Sequence, residues 1–221
     1  MGTMIQFASN GGTTPGYLAE PAQGDGPGVI VIQEWWGLND HVKAVADRYA
    51  AQGFVALAPD LYHGKVTKSP DEAGKLLMAL NIAQAEKDLR GAVAHLRART
   101  GRKVGTVGFC MGGALSLFAA CTNGEDVGAC VVYYGGHPKV TYDFDRLRAA
   151  VQGHWAADDD WANANIPVID AGLKQRGRPW ESYTYPGTKH AFFNDTRPDV
   201  YVREAAELSF ERCVTFFRAH L

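Results

Sequence analysis

Lys103-Val104-Gly105-Thr106-Val107-Gly108 runs without a break into Phe109-Cys110-Met111-Gly112-Gly113, and this join decides the fold. The first six residues read as a strand, and the apolar run from Met111 to about Cys121 reads as a helix. A strand that turns directly into a helix holds the residue at the corner, here Cys110, in a strained turn above the sheet edge. Gly108 and Gly112 flank it by two residues on each side, where strand and helix backbones come close. The helix start adds partial positive charge, which favours thiolate over thiol, and free N–H groups that can bind an oxyanion. The competing reading is a buried structural cysteine beside a glycine-rich packing turn.

Working outward, the same strand–helix alternation repeats. Toward the N-terminus, Val29–Gln33 is a continuous β-branched run of the kind a strand covered on both faces shows. Asn39 and Asp40 are helix-capping residues, followed by Val42, Val45, Ala46, Tyr49 and Ala50 at helical spacing up to Gly53. Phe54–Ala58 is a short strand closed by Pro59-Asp60, and the stretch from Leu61 to Pro70 is polar and irregular. Residues 70–80 form a short helix, and the helical recurrence from Ile82 to Leu96 stops at Gly101. Thr3–Ala8 and Gly16–Glu20 read as an opening hairpin. Toward the C-terminus come a strand over Val127–Tyr134, another over Ala150–Ala156, a helix near Trp161–Gln175, a strand near Trp180–Tyr185 and a closing helix with Ala206, Phe210, Cys213 and Phe217 on one face. Alternation along the whole length means an α/β fold, a mostly parallel sheet with helices on both faces. With no repeat and no linker, residues 1–221 form a single domain.

Composition excludes several classes. Hydrophobic residues are 46% and charged residues 21%, too apolar for a disordered chain. A net charge of −2 gives no global basic field for nucleic acid or an anionic membrane. The apolar runs are far too short to span a bilayer. The opening Met1–Gly12 stretch lacks the charged start and apolar run of a signal peptide, and the cysteines at 110, 121, 130 and 213 have no framework spacing. Reduced thiols and a cytoplasmic location are the expectation. The sequence carries no indication of oligomeric state.

A nucleophile at the corner needs an acid and a base later in the chain, in that order. The acids Asp158-Asp159-Asp160 lie past the carboxyl end of the strand at 150–156, on the side where ligands bind in such sheets. His190, in Gly187-Thr188-Lys189-His190-Ala191-Phe192, lies beyond the next strand and before the last helix. Each alone has a bland reading: the Asp run as a solvated turn or cap, His190 as an incidental loop residue. The Asp run with His154 could also suggest a metal site, but no second His or Cys stands at ligand spacing.

Together with Val29-Ile30-Val31-Ile32-Gln33-Glu34-Trp35-Trp36-Gly37, Ala58-Pro59-Asp60-Leu61-Tyr62 and Tyr133-Tyr134-Gly135, these segments resemble the dienelactone hydrolase (carboxymethylenebutenolidase-like) family of the α/β-hydrolase fold across nearly the whole chain. The resemblance implies a hydrolase of small carboxylic esters or lactones that works through an acyl-thioester and needs no metal or organic cofactor. It implies Cys110 as nucleophile, His190 as general base and then acid, and Asp159 as orienter, with Asp158 and Asp160 as the close alternatives. It implies an oxyanion hole from the N–H groups of Met111 and Trp35. It also implies that Glu34 holds the resting cysteine protonated, as a carboxylate beside a thiol disfavours thiolate; a strand-end Glu that caps a turn is the alternative. The family's substrate arginine four residues after the histidine is Asn194 here, with Arg197 nearby, and the second arginine's region at 70–80 offers Lys75 and no Arg. A neutral or larger ester, lactone or thioester is then as fitting as dienelactone, with Trp35, Trp36 and Tyr62 as pocket walls. The rival functions are an acyltransferase on the same scaffold and a non-catalytic ligand-binding or redox-sensing protein in which Cys110 is an oxidisable thiol.

Overall fold

A computed structural model describes residues 1–9, 11–178 and 180–221. Its centre is a sheet of eight strands: β1 (Thr3–Ser9), β2 (Gly12–Ala19), β3 (Gly28–Ile32), β4 (Val55–Pro59), β5 (Val104–Phe109), β6 (Val127–Tyr133), β7 (Ala150–Asp158) and β8 (Trp180–Lys189), in the order β1-β2-β4-β3-β5-β6-β7-β8. β2 pairs antiparallel with β1 and with β4, and every other pairing is parallel. Every residue of β3, β4 and β5 is buried, which their unbroken apolar runs require of strands covered on both faces.

The helices are α1 (Asp40–Ala51), α2 (Pro70–Ala79), α3 (Ile82–Thr100), α4 (Met111–Asn123), α5 (Asp160–Asn163), α6 (Ile166–Gln175) and α7 (Arg203–His220). Side-chain caps set several starts: Asn39, Ser69 and Asn81 each accept a backbone N–H from the first turn of α1, α2 and α3. Gly101, at φ 68°, ends α3 in the left-handed conformation. α1 and α7 share one face of the sheet, where Tyr49 meets Phe210 and Phe217 with ring centroids 5.0 and 6.0 Å apart. α3 and α4 pack together against β3 and β5. Each fully buried Leu, Val or Phe in these layers contributes roughly 1.5–3 kcal/mol. The opening hairpin is fastened to α3 through buried Asp88, which accepts from Ser9 Oγ at 2.7 Å and Thr14 Oγ1 at 2.8 Å.

Three elements depart from the expected boundaries. The helix expected near Trp161–Gln175 is two helices, because the chain turns at Ala164-Asn165 and Pro167 fits only the first turn of a new helix. β8 runs four residues past Tyr185, carrying the strand to Lys189. β2 begins at Gly12, with Pro15 inside it opposite Gln6. Among the described residues no helix is long and apolar enough to cross a membrane. Parallel pairing brings the carboxyl ends of β3, β5, β7 and β8 to one edge; Cys110, Asp159 and His190 follow directly from three of those ends, and Glu34 stands two residues past β3.

Candidate active site

Cys110 occupies the single step between β5 and α4 with φ 57° and ψ −122°. Such a conformation costs an L-residue on the order of 1–3 kcal/mol and persists only where the surroundings enforce it. They do so here. The Cys110 N–H donates to Tyr133 O at 3.1 Å, and its carbonyl accepts from Gly113 N at 2.9 Å and Gly136 N at 3.3 Å. The flanking glycines are steric necessities: a Cβ on Gly108 would lie 1.9 Å from Gly112 O, and one on Gly112 would lie 2.4 Å from Gln33 O. Strand, helix and the end of β3 therefore meet at van der Waals distance beneath the sulfur. Cys110 is 7% exposed and opens onto a cleft.

His190 follows β8, and the left-handed Ala191 (φ 67°) turns the chain sharply after it. Its Nδ1–H donates to Asp159 Oδ2 at 2.6 Å. Asp159 is buried, and its other oxygen accepts the Ala162 N–H at 3.1 Å, so both oxygens are fixed. Asp158 and Asp160 are exposed. Burial opposes a charge on the His190 ring, but its hydrogen bonds to Asp159 and to Cys110 prevail, and its pKa is pushed up to about 10. Two aromatic rings hold the imidazole edge-on, Tyr134 at 5.0 Å and Trp161 at 5.4 Å between centroids. The sulfur, the imidazole and the Asp159 carboxylate thus converge from three loops more than thirty residues apart in sequence.

Met111 opens α4, so its N–H has no acceptor inside the helix. Trp35 follows Glu34 at the start of the β3–α1 connection, where Gly37 N donates to Glu34 O at 3.3 Å and turns the chain. Glu34 is 2% exposed; its Oε2 accepts from Asn194 Nδ2 at 2.7 Å, and its Oε1 has no hydrogen-bond partner among the described residues. Asn194 is fixed in turn, because its Oδ1 accepts from Thr196 N and Oγ1 at 3.1 and 2.6 Å. The bonded partner of Glu34 is therefore Asn194, while Cys110 and His190 line the same cleft.

The cleft over Cys110 and His190 measures about 450 Å³. Glu34, Trp35, Trp36 and Arg197 line it, and Leu77, Met78, Pro138 and Trp161 form an apolar side. A second lobe of about 660 Å³ shares Trp35, Trp36 and Arg197 and is lined by Asn39, Thr67, Lys68, Asn194 and Thr196. Arg197 Nη2 donates to Asp199 Oδ2 at 2.6 Å. Tyr62 lies outside both lobes. It is buried, and its hydroxyl donates to Met111 Sδ at 3.2 Å, so it packs under the first turn of α4. Burial, and then the Cys110 sulfur, hold its phenol well above the ordinary range. Lys75 lines neither lobe.

Sequence reasoning passed over Trp161, Leu77, Met78 and Pro138. Trp161 carried the only usable signal: a large apolar residue directly after the acid run, which remains 50% exposed in the folded chain. Among the described residues no group of three His, Cys, Asp or Glu side chains is arranged to hold a metal ion. The cysteines are all free and buried.

Comparison with known proteins agrees with this geometry. Residues 14–221 match the model of the dienelactone hydrolase family. Protein usf of Aquifex pyrophilus is 38% identical, with both chains covered in full. A protein of Aquifex aeolicus provisionally named carboxymethylenebutenolidase is 33% identical, again with both chains covered in full. Among solved structures, a provisionally named dienelactone hydrolase from Klebsiella pneumoniae superposes with a TM-score of 0.86 at 28% identity, over 99% of this chain and 98% of that one. The fold is that of the α/β-hydrolases.

Proposed function

The chain belongs to the dienelactone hydrolase family and is a carboxylic ester hydrolase; from that premise we propose that it cleaves esters or lactones through an acyl-thioester on Cys110, with His190 moving the proton and Asp159 orienting His190. The observation that carries this reading is the strained Cys110 corner, which shares one cleft with an imidazole anchored at 2.6 Å to a buried carboxylate.

An imidazole that keeps its proton to about pH 10 enters the first step as an acid. The Cys110 sulfur attacks the substrate carbonyl carbon, and the electron pair of the C=O moves onto oxygen. The N–H groups of Met111 and Trp35 receive that oxyanion. On collapse the C=O re-forms, the C–O bond to the leaving group breaks, and His190 Nε2 passes its proton to the departing oxygen. In the second step the now neutral imidazole takes a proton from water. The resulting hydroxide attacks the thioester carbon, the C–S bond breaks, and the acid leaves with Cys110 and His190 again sharing one proton. Asp159 keeps the Nδ1–H tautomer throughout and stabilises the imidazolium. Glu34 sets a buried carboxylate beside this chemistry and damps the nucleophile by drawing part of the shared proton back toward sulfur. No step calls on a metal or an organic cofactor.

Aryl-ester hydrolysis by wild type and Cys110→Ala tests the reading. Loss of at least about 10³-fold in kcat with an unchanged circular dichroism spectrum is expected. Turnover that survives the substitution refutes the nucleophile.

A further inference from the structure

Behind the loop that carries His190, outside both lobes of the cleft, a second histidine meets a carboxylate. His41 lies in the first turn of α1 and is 5% exposed. Its Nδ1 stands 3.0 Å from Asp195 Oδ1, and because a carboxylate only accepts, Nδ1 carries the proton. The ring also stands edge-on to Phe193, with 6.5 Å between centroids. Its Nε2 is buried and has no hydrogen-bond partner among the described residues. A buried polar atom left unpaired is destabilising, and an aliphatic side chain would fill the same place without one. Among the described residues, the bond to Asp195 is what calls for an imidazole at this position.

The Asp195 side chain is 59% exposed, so water could satisfy it and the bond is not there to rescue a buried charge. What the bond fixes is the turn on either side of Asp195. Thr196 N and Oγ1 both donate to Asn194 Oδ1, which ties the residue after Asp195 to the one before it. With its oxygen held there, the Asn194 amide nitrogen is aimed at Glu34 Oε2, 2.7 Å away. Backbone bonds close the same turn, from Asn194 N to Ala191 O at 2.9 Å and from Arg197 N to Asn194 O at 3.1 Å. A continuous path therefore runs from α1 through Asp195 and Asn194 to the carboxylate that lines the cleft with Cys110. His41 itself lines neither lobe.

We propose that His41 is a positioning residue: by holding Asp195 it aims the Asn194 amide at Glu34, and so limits how strongly that carboxylate acts on Cys110. The inference rests on the ester-hydrolase mechanism above and adds to it a residue that touches neither substrate nor reacting atoms. A hydrogen bond from the Asn194 amide takes up part of the Glu34 negative charge. An amide that swings away leaves the whole of that charge to draw the proton toward sulfur.

Iodoacetamide labelling of Cys110 tests this from the exposed end of the pair, where substitution leaves the core intact. Asp195→Ala should slow labelling by about twofold to fivefold, a fraction of the strength of one hydrogen bond to a charged group. Asp195→Asn, whose side-chain oxygen still accepts from His41, should label at the wild-type rate. From the buried end, His41→Leu should match Asp195→Ala, and His41→Asn, with an amide nitrogen near the place of Nδ1, should restore the rate. In a Glu34→Gln background Asp195→Ala should change nothing, because both substitutions act on one path. Labelling that Asp195→Ala does not slow overturns the proposal. Slowing that persists without the Glu34 carboxylate overturns it too, since a general loosening of the His190 loop would then be the cause. Acylation by an aryl ester is followed in the same proteins. A wild type that labels but is never acylated fails the ester mechanism and this inference with it. A wild type that is acylated, beside an Asp195→Ala variant that labels at the same rate, fails this inference alone.

Discussion

Two imidazoles, one within β7 and one just past the end of β8, behave in opposite ways. His190, at the end of β8, is raised to about 10, whereas His154, in the middle of β7, is pushed down to about 3 by burial and then by the charge of Arg212. His154 is held at both nitrogens by neutral groups, the Tyr185 hydroxyl at Nδ1 and Gln152 Oε1 at Nε2, each at 2.8 Å. Gln152 Nε2 donates onward to Glu181 at 2.7 Å, which fixes its oxygen toward His154 and hence the Nε2–H tautomer of that ring. His190 has instead a carboxylate on one side and a sulfur on the other. Burial alone removes a proton from histidine; a buried anionic partner reverses the sign. One ring is built to carry a proton and the other to stay neutral while it cross-links β7 to β8, the two strands that deliver Asp159 and His190.

Removing the anion breaks this contrast with the largest effect. Asp159→Asn is expected to lower kcat by about 10³- to 10⁴-fold. It should also move the alkaline limb of the pH–rate profile from near 10 down toward the ordinary histidine value. An alkaline limb that stays near pH 10 in the variant contradicts the assigned partner. Stability should respond to pH with opposite slopes for the two rings. His190 binds its proton more tightly folded than unfolded. Its contribution is therefore full below about 6.5 and is lost as pH rises through about 10. His154 is neutral when folded but takes a proton when unfolded, so its contribution is present above about 6.5 and is lost as pH falls toward about 3. Urea titrations across pH should show His154→Leu flattening the acid limb alone and costing about 2 kcal/mol at neutral pH, because Gln152 and Tyr185 lose their partner. An acid limb as steep as that of wild type would falsify the neutral buried state of His154.

Smaller effects sharpen the picture around the sulfur. Glu34→Gln removes the buried carboxylate and should speed iodoacetamide labelling of Cys110 by about threefold to tenfold. Equal labelling rates for the two proteins remove the restraint assigned to Glu34. Arg197→Ala is expected to have the least consequence. Its guanidinium is already paired with Asp199, so the KM for a carboxylate-bearing ester should rise by less than about threefold. A rise beyond about tenfold would show that Arg197 reaches the substrate carboxylate despite its pair with Asp199.

Much of this was legible in the chain because the signals are local. The glycines at 108 and 112 announce the Cys110 corner, and their close contacts explain why no larger residue fits. Unbroken runs such as Val29–Ile32 reported burial on both faces. The resemblance singles out Asp159, but the physical difference from its neighbours appears only in three dimensions: the acids at 158 and 160 are exposed, while Asp159 caps α5 and is buried. What stayed hidden depends on distant segments meeting. Pro167 divides a stretch whose apolar spacing reads as one helix. Tyr62 reads as a wall, yet packs under Met111, because the loop after β4 is held by Asp60 accepting from Tyr62 N and Gly64 N. The contrast between the Trp161 side and the Lys68 side exists only once α2, α5 and the loop after His190 come together.

The most direct measurement is rapid-quench mass spectrometry of the wild-type protein mixed with an aryl ester, followed by peptide mapping. The account expects the acyl mass on the peptide that contains Cys110, forming before steady state and decaying as acid is released. Steady ester turnover with that peptide unmodified, or with the acyl group on any other residue, contradicts it.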